Sequence, residues 1–136
     1  MKLLRPADRY LTVNGLRLHC LDWGGEGRTP LLLLHGFPGH AHAWDTLSLA
    51  LQPHFHVYAL DQRGYGESDP AETYGPITAF DDLTGVTAQL GLTSLVLVGL
   101  SMGGRNAIYF TAKRPEAPSS APAATRLLDA WVAAMS

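Results

Sequence analysis

The composition of this chain is that of one folded domain. Its 136 residues are 46% hydrophobic and 16% charged, which suits a globular protein and excludes a disordered one. The net charge of −2 excludes the basic surface that would favour nucleic acid or anionic lipid as a partner. The single cysteine, Cys20, excludes an internal disulfide and fits a reducing compartment. Because the first ten residues lack the apolar stretch of a signal peptide and no apolar run approaches the ~20 residues of a membrane span, we expect a cytoplasmic location.

The N-terminal third of the chain predicts a hairpin, a buried strand and a helix. Residues 10–23 alternate on both sides of Asn14-Gly15, a pair that tolerates positive φ, and this favours a β-hairpin. LLLLH, residues 31–35, is a short apolar run typical of a strand buried on both faces. Residues 40–53 carry apolar side chains at helical spacing and end in proline, which predicts a helix.

The next segments repeat the alternation of strand and helix. FHVYALD (55–61) and SLVLVG (94–99) predict two more buried strands, and a helix is expected over 77–91 and over 101–114. Alternation of this kind is typical of a parallel sheet covered by helices. The predicted fold class is therefore α/β: a mostly parallel, doubly wound sheet with helices on both faces and an antiparallel N-terminal hairpin.

The composition changes after this predicted α/β unit, which spans 1–115. Residues 116–124, EAPSSAPAA, are rich in proline, alanine and serine and predict a linker. Residues 125–136 predict an amphipathic helix with an apolar face formed by Leu127, Leu128, Trp131, Val132 and Met135.

The most informative motif lies between the third buried strand and the helix that follows it. Residues 99–103, GLSMG, fit G-x-S-x-G, in which the serine occupies a strained turn that exposes its hydroxyl. Side chains at Gly99 or Gly103 would collide with the neighbouring backbone in so sharp a turn. The alternative is an ordinary strand–helix turn in which Ser101 caps the helix, and the flanking strand and helix favour the nucleophile.

Three motifs together give the chain a specific resemblance to the α/β-hydrolase family over about residues 10 to 115. They are LLLLHGFPGHAHAW (31–44), LDQRGYGESD (60–69) and LVGLSMGG (97–104), in the family's order. The resemblance implies the strand order hairpin, 55–60, 31–35, 95–99. It also implies a serine esterase-like enzyme in which Ser101 is the catalytic nucleophile.

The resemblance further implies an oxyanion hole at the end of the first buried strand. It gives that role to the loop His35-Gly36-Phe37, with the backbone N–H of Phe37 as one donor. The second donor would be the N–H of Met102, next to the nucleophile, and the substrate would be a small acyl or ester compound. The α/β-hydrolase resemblance implies no cofactor and no metal.

The loop 61–69 has two interpretations. The resemblance implies a structural loop beside the active site, in which Gly64 and Gly66 allow tight turns while Asp61 and Arg63 pair or hold neighbouring loops. The alternative makes Asp61 or Asp69 the acid of a catalytic triad.

The triad partners that the family places after the nucleophile are absent from this sequence. The family's order is Ser, then Asp or Glu, then His. After Ser101 there is no histidine, and the acids there are Glu116 and Asp129. The chain thus resembles the N-terminal half of a serine hydrolase, and the acid and base are expected to be missing.

The histidines that precede the nucleophile offer two alternatives. His40 and His42 lie closest to the predicted catalytic edge and could replace the missing base. HAHAWD (40–45) and HFH (54–56) each place two imidazoles two residues apart, a spacing that suits a metal-dependent hydrolase. HAHAWD departs from the H-x-H-x-D-H metal motif, since Trp44 replaces its aspartate and Asp45 its last histidine.

Three hypotheses follow from the sequence. The chain is a serine hydrolase, or a catalytically inactive family member that serves as a binding or dimerising module, or a metal-dependent hydrolase. The serine at position 101 argues against the epoxide hydrolase and haloalkane dehalogenase branches, which use aspartate. The strand 94–99 is also expected to leave an uncharged apolar edge exposed, which favours self-association.

Overall fold

The structure is a computed structural model that describes residues 5–114. Within this range strands and helices alternate along the chain as the sequence predicts. The strands are β1 Ala7–Val13, β2 Leu16–Asp22, β3 Thr29–Leu34, β4 Phe55–Asp61 and β5 Val96–Gly99. The helices are α1 Asp45–Leu51, α2 Pro76–Gln89 and α3 Met102–Lys113, with a 3-10 turn at Ala41–Trp44.

The five strands form one mixed sheet in the order β1-β2-β4-β3-β5. The hairpin β1–β2 is antiparallel and joins β4 in antiparallel register, while β3 runs parallel to both β4 and β5. This confirms the α/β fold class and the strand order that the family resemblance implies. In the described part of the chain, β5 is an edge strand that pairs on one side only.

Burial explains why the short apolar segments become strands. Leu32, Leu33 and Leu34 of β3 are fully buried, and so are Val57 and Ala59 of β4. These continuous apolar runs are buried on both faces of the sheet, because helices pack against it: α1 contacts β4, α2 contacts β1, and α3 contacts β3 and β5.

The hairpin and the helix ends also follow the predicted signals. Asn14 and Gly15 both have positive φ, +51° and +79°, as the tight turn between β1 and β2 requires. The helix predicted over 77–91 forms as α2, and Gly91, just beyond it, has φ +70°.

The helix predicted over 40–53 begins differently from the expectation. Its first turn, Ala41–Trp44, is a 3-10 helix, and the α-helix proper starts at Asp45. A carboxylate oxygen of Asp61, at the end of β4, accepts a hydrogen bond of 2.7 Å from the Ala41 N–H. We attribute the tight first turn to this tether and the missing side-chain cap at His40.

The linker predicted at 116–124 and the helix predicted at 125–136 lie outside the described residues. In the described part of the chain, no helix combines the length and the hydropathy that a membrane span requires.

Candidate active site

The turn between β5 and α3 holds Ser101 in a strained conformation. Its φ of +52° and ψ of −112° are unfavourable for a residue with a side chain, and such strain costs of order 1–3 kcal/mol. The Ser101 side chain makes no capping hydrogen bond to α3, and the residue is exposed. The alternative in which Ser101 serves as a helix cap therefore does not explain the turn.

The glycines of the motif are required by close packing of the backbone. A Cβ at Gly99 would overlap the carbonyl group of Gly103, and a Cβ at Gly103 would overlap the carbonyl oxygen of Leu34. The collision predicted from the sequence is thus present at both positions. As a result, the first turn of α3 lies directly against the end of β3.

The loop that follows β3 lies beside Ser101. The Leu100 N–H donates to the Leu34 carbonyl over 3.1 Å, and a Cβ built on Gly36 would lie 3.5 Å from the Ser101 Cβ. The backbone N–H groups of Phe37 and Met102 donate no hydrogen bond to any group within residues 5–114. Of these two unpaired amides, Met102 directly follows Ser101, and Phe37 directly follows Gly36, which lies beside the serine.

His35 fixes the end of β3 against the end of β4. Its Nε2 accepts a hydrogen bond of 3.1 Å from the Gln62 N–H, so its Nδ1 carries the proton and donates to the Gly36 carbonyl over 2.9 Å. Burial lowers the pKa of His35, which keeps the imidazole neutral as this arrangement needs. With both nitrogens engaged, His35 supports the loop and has no nitrogen left to act as the base.

Asp61 has a structural role in the described residues. Its carboxylate accepts hydrogen bonds from the N–H groups of Ala41 and Glu67 and contacts His19 Nδ1 at 2.7 Å. Burial raises the pKa of Asp61, but these hydrogen bonds outweigh it and the net pKa is lowered. Asp61 thereby holds the loop 61–69, as the family resemblance implies.

His19 is the main member of this cluster that the sequence did not single out. It is fully buried on β2, and its Nε2 lies 2.7 Å from a carboxylate oxygen of Asp8 and 3.4 Å from one of Glu67. Burial lowers its pKa, but the hydrogen bonds to Asp8 and Asp61 and the charge of Glu67 outweigh burial, so the net pKa is raised. Both ring nitrogens face carboxylates, so neither faces Ser101.

The other charged residues of the loop also have structural partners. Arg63 does not pair with Asp61 but forms two hydrogen bonds to the carboxylate of Asp82 on α2, of 2.7 and 2.9 Å. The Asp69 carboxylate accepts a hydrogen bond of 2.9 Å from the Arg17 N–H. Asp69 contacts no imidazole in the described residues.

The histidines of the segments HAHAWD (40–45) and HFH (54–56) lie on the surface or pair elsewhere. His42 is exposed and contacts the carboxylate of Asp45 at 2.9 Å, and its ring meets that of His40. His56 is buried and contacts Asp22 at 2.7 Å. Among residues 5–114, the sets of three groups close enough to share a metal are Asp8, His19 and Glu67, and Asp22, Glu26 and His56. Neither set includes the pair His40 and His42.

A pocket opens between α2, α3 and the loop after β4. Its volume is about 460 Å³ when its open mouth is included. Met102, directly after Ser101 in the chain, lines it together with residues of β4, α2 and α3. Ser101 itself is not part of its wall.

Comparison with known proteins agrees with the α/β fold described above. Residues 29–124 match the family model of the α/β-hydrolase fold. The chain is 38% identical over 106 residues to mouse epoxide hydrolase 4, covering 76% of this chain and 30% of that protein. It is 38% identical over 109 residues to N-formylmaleamate deformylase of Pseudomonas putida, covering 79% and 40%.

A solved bacterial membrane phospholipase A, described as a virulence factor, superposes with a TM-score of 0.79 at 31% identity. The match covers 84% of this chain and 37% of the phospholipase. The chain thus spans less than half the length of these relatives. Since the family model covers most of the chain and the sheet has the expected strand order, the chain belongs to the α/β-hydrolase fold family.

Proposed function

We propose that this chain supplies the nucleophile and the oxyanion hole of a serine hydrolase that acts on an ester or a related acyl compound. Ser101 is the nucleophile in this proposal, and the N–H groups of Phe37 and Met102 stabilise the oxyanion. Each such donor contributes about 2.7–4 kcal/mol to the stabilisation of a tetrahedral transition state. The single buried cysteine, Cys20, is a free thiol, and this supports a cytoplasmic location as part of the proposal.

The observation that carries the proposal is the state of Ser101: its backbone is strained, the residue is exposed, and its hydroxyl does not cap α3. Nothing in the turn needs a hydroxyl there, because the side chain does not cap α3. The carbonyl of Ser101 accepts a hydrogen bond from the Arg105 N–H, so the backbone alone continues the helix. A hydroxyl held at a helix N-terminus beside two free amides is suited to attack on an acyl carbon.

The choice of acyl chemistry within the family rests on the residue type at position 101. The relatives include an epoxide hydrolase, a deformylase and a phospholipase, so their names alone do not separate the branches. A serine alkoxide forms an acyl-enzyme that water then cleaves, which is the chemistry of ester and amide hydrolysis. We therefore place this chain with the acyl hydrolases rather than with the epoxide hydrolases.

A catalytically inactive binding module is the second candidate. No histidine follows Ser101 in the sequence, and the buried His19 and His35 have both ring nitrogens engaged. Without a general base the serine hydroxyl is a weak nucleophile, and what remains is the ~10³–10⁴-fold effect of an oxyanion hole and of binding.

Labelling by a fluorophosphonate probe with added imidazole separates these candidates. We expect the 136-residue chain to label slowly, and free imidazole to accelerate labelling because it supplies the missing base. Labelling should vanish in Ser101→Ala and persist in the matched control Ser94→Ala, which removes a hydroxyl just before β5.

Each other result counts against part of the proposal. Labelling that survives Ser101→Ala would exclude Ser101 as the nucleophile. No labelling even with imidazole would favour the inactive module. Fast labelling without imidazole would show that the chain has its own base, and His42, which Asp45 orients, would be the first histidine to replace. Hydrolysis of styrene oxide in preference to p-nitrophenyl butyrate would contradict the assignment to acyl chemistry.

A further inference from the structure

The pocket beside the nucleophile turn has a distinct chemical character. Its apolar wall comes from three elements: Leu60 at the end of β4, Leu83 on α2 and Met102 on α3. A wall of this kind binds the hydrocarbon part of a small molecule, because burial on both sides removes apolar surface from water.

The charged groups of the pocket leave one cation available. Arg63 is neutralised by two hydrogen bonds to Asp82, of 2.7 and 2.9 Å. Arg105 forms no ion pair with any acid among residues 5–114, and its guanidinium donates only one long hydrogen bond, of 3.4 Å, to the Asn106 side chain. The lining therefore combines two cations with one anion and carries a net charge of about +1.

The pocket also lies next to the proposed nucleophile. Met102 and Arg105 belong to the first turn of α3, and Ser101 immediately precedes that turn. The pocket thus lies within one helical turn of the serine. Arginine is suited to bind a carboxylate on a molecule held in the pocket, because its planar fork pairs with a carboxylate through two parallel hydrogen bonds.

We propose that this pocket binds an apolar molecule that carries one carboxylate, with the carboxylate on Arg105. In taking this molecule to be the acyl substrate, the inference rests on the proposed function. The binding itself does not require Ser101, so the two claims are tested separately.

The test compares a carboxylate with its neutral amide. Hexanoate and hexanamide are titrated into the ¹⁵N-labelled 136-residue chain, and dissociation constants are read from the amide shifts around Met102. We expect hexanoate to bind up to about fivefold more tightly, since Arg105 is exposed and an exposed ion pair contributes about 0.2–1 kcal/mol. Arg105→Gln should abolish the preference and Arg105→Lys should keep part of it. Arg114→Gln removes the same charge from the other end of the helix and should change nothing.

Equal binding of the two ligands, or a preference that survives Arg105→Gln in a folded variant, would overturn the inference. The unfolding midpoint of each variant shows whether it is folded. If the glutamine variant is not folded, an undiminished preference in Arg105→Lys overturns the inference, because lysine lacks the planar fork that the proposed pairing uses. If hexanoate binding persists in Ser101→Ala while the unaltered chain fails to label with the fluorophosphonate, the proposed function is contradicted and the pocket inference stands. If the unaltered chain labels at Ser101 but binds hexanoate and hexanamide equally, the pocket inference is contradicted and the proposed function stands.

Discussion

Ser101 occupies a backbone conformation that the surrounding packing imposes. The contact of Gly103 with the Leu34 carbonyl brings α3 against β3, and the chain must turn sharply to reach that position from β5. The strain at Ser101 is thus maintained by atoms outside the serine, and its removal requires movement of the helix.

Replacement of Gly103 by alanine tests this dependence. The new Cβ would overlap the carbonyl oxygens of Leu34 and His35, which are backbone atoms that cannot rotate away. We expect Gly103→Ala to lower the free energy of unfolding by more than about 2 kcal/mol, measured by urea denaturation, and to abolish labelling at Ser101. Gly91→Ala is the control, because its Cβ meets nothing within 4 Å and only its φ of +70° is unfavourable, at about 1 kcal/mol. A fully stable Gly103→Ala variant would contradict the close approach of α3 to β3.

His19 makes the stability of the protein depend on pH. Its pKa is raised in the folded state, so its contribution is complete below the ordinary histidine pKa of about 6.5 and is lost as pH rises through the raised value. The pKa of Asp61 is lowered, so its contribution is present above about pH 4 and is lost as pH falls further. The cluster therefore stabilises the fold most between about pH 4 and 6.5.

Urea denaturation from pH 6 to pH 9 measures the histidine part of this effect. We expect the free energy of unfolding to fall over this range in the unaltered chain and to fall less in His19→Gln. His54→Gln, at an exposed position just before β4, is the matched control and should follow the unaltered chain. If His19→Gln does not fold, NMR titration of the His19 ring in the unaltered chain decides: a pKa below 6.5 would contradict the arrangement.

At the scale of elements, Gln62 connects the ends of β3 and β4 with α3, close to the candidate site. It follows β4, donates from its side chain to the His35 carbonyl after β3 over 2.8 Å, and accepts a hydrogen bond of 2.9 Å from Asn106 on α3. Gln62 and Asn106 are both buried, so loss of either leaves an unsatisfied polar group.

A double-mutant cycle measures this connection. Gln62→Ala and Asn106→Ala should each lower the free energy of unfolding by about 1–3 kcal/mol. The double variant should lose less than the sum of the two, with a coupling energy of about 0.5–3 kcal/mol, because the second substitution removes a partner already unpaired. Strict additivity in urea denaturation would show that the two side chains do not act through each other.

The elements were predictable wherever a local pattern decides the structure. The leucines of β3 and the Asn14-Gly15 turn were predictable because their patterns lie within a few neighbouring residues. The G-x-S-x-G spacing is also local, although the contact that requires Gly103 is with the distant Leu34 carbonyl. The strand order needed more, and it followed from the family resemblance rather than from any pattern in the residues.

The contacts that depend on the tertiary fold were not predictable in detail. His19 and Asp61 are 42 residues apart, and nothing local to either indicates the other. The partner of Arg63 proved to be Asp82 on α2, and the 3-10 turn at 41–44 arises beside a tether from β4. These contacts exist because the fold brings distant segments of the chain together. A pattern among neighbouring residues does not indicate which distant residues will meet.

At the scale of the whole molecule, the sheet formed by the described residues ends in an apolar edge. Within residues 5–114, β5 pairs with β3 on one side and has no strand on the other. The segment SLVLVG (94–99) contains no charged residue and no proline. Charged residues and prolines are the ones that discourage edge-to-edge pairing of strands. Two arrangements would cover this edge: pairing of two chains about a two-fold axis, or cover by the segment 125–136, which lies outside the described residues.

We propose self-association of the 136-residue chain, and sedimentation at micromolar concentrations tests it. The average mass is expected to exceed the 14.7 kDa of one chain and to rise with concentration, because each new edge contact satisfies backbone groups left unpaired on β5. Sedimentation as a 14.7 kDa species at every concentration, with a cooperative thermal transition, would refute the argument from the edge. In that case Trp131→Ala distinguishes the remaining explanations: a loss of stability would identify the C-terminal segment as the cover, since a buried tryptophan contributes about 3–5 kcal/mol when truncated to alanine.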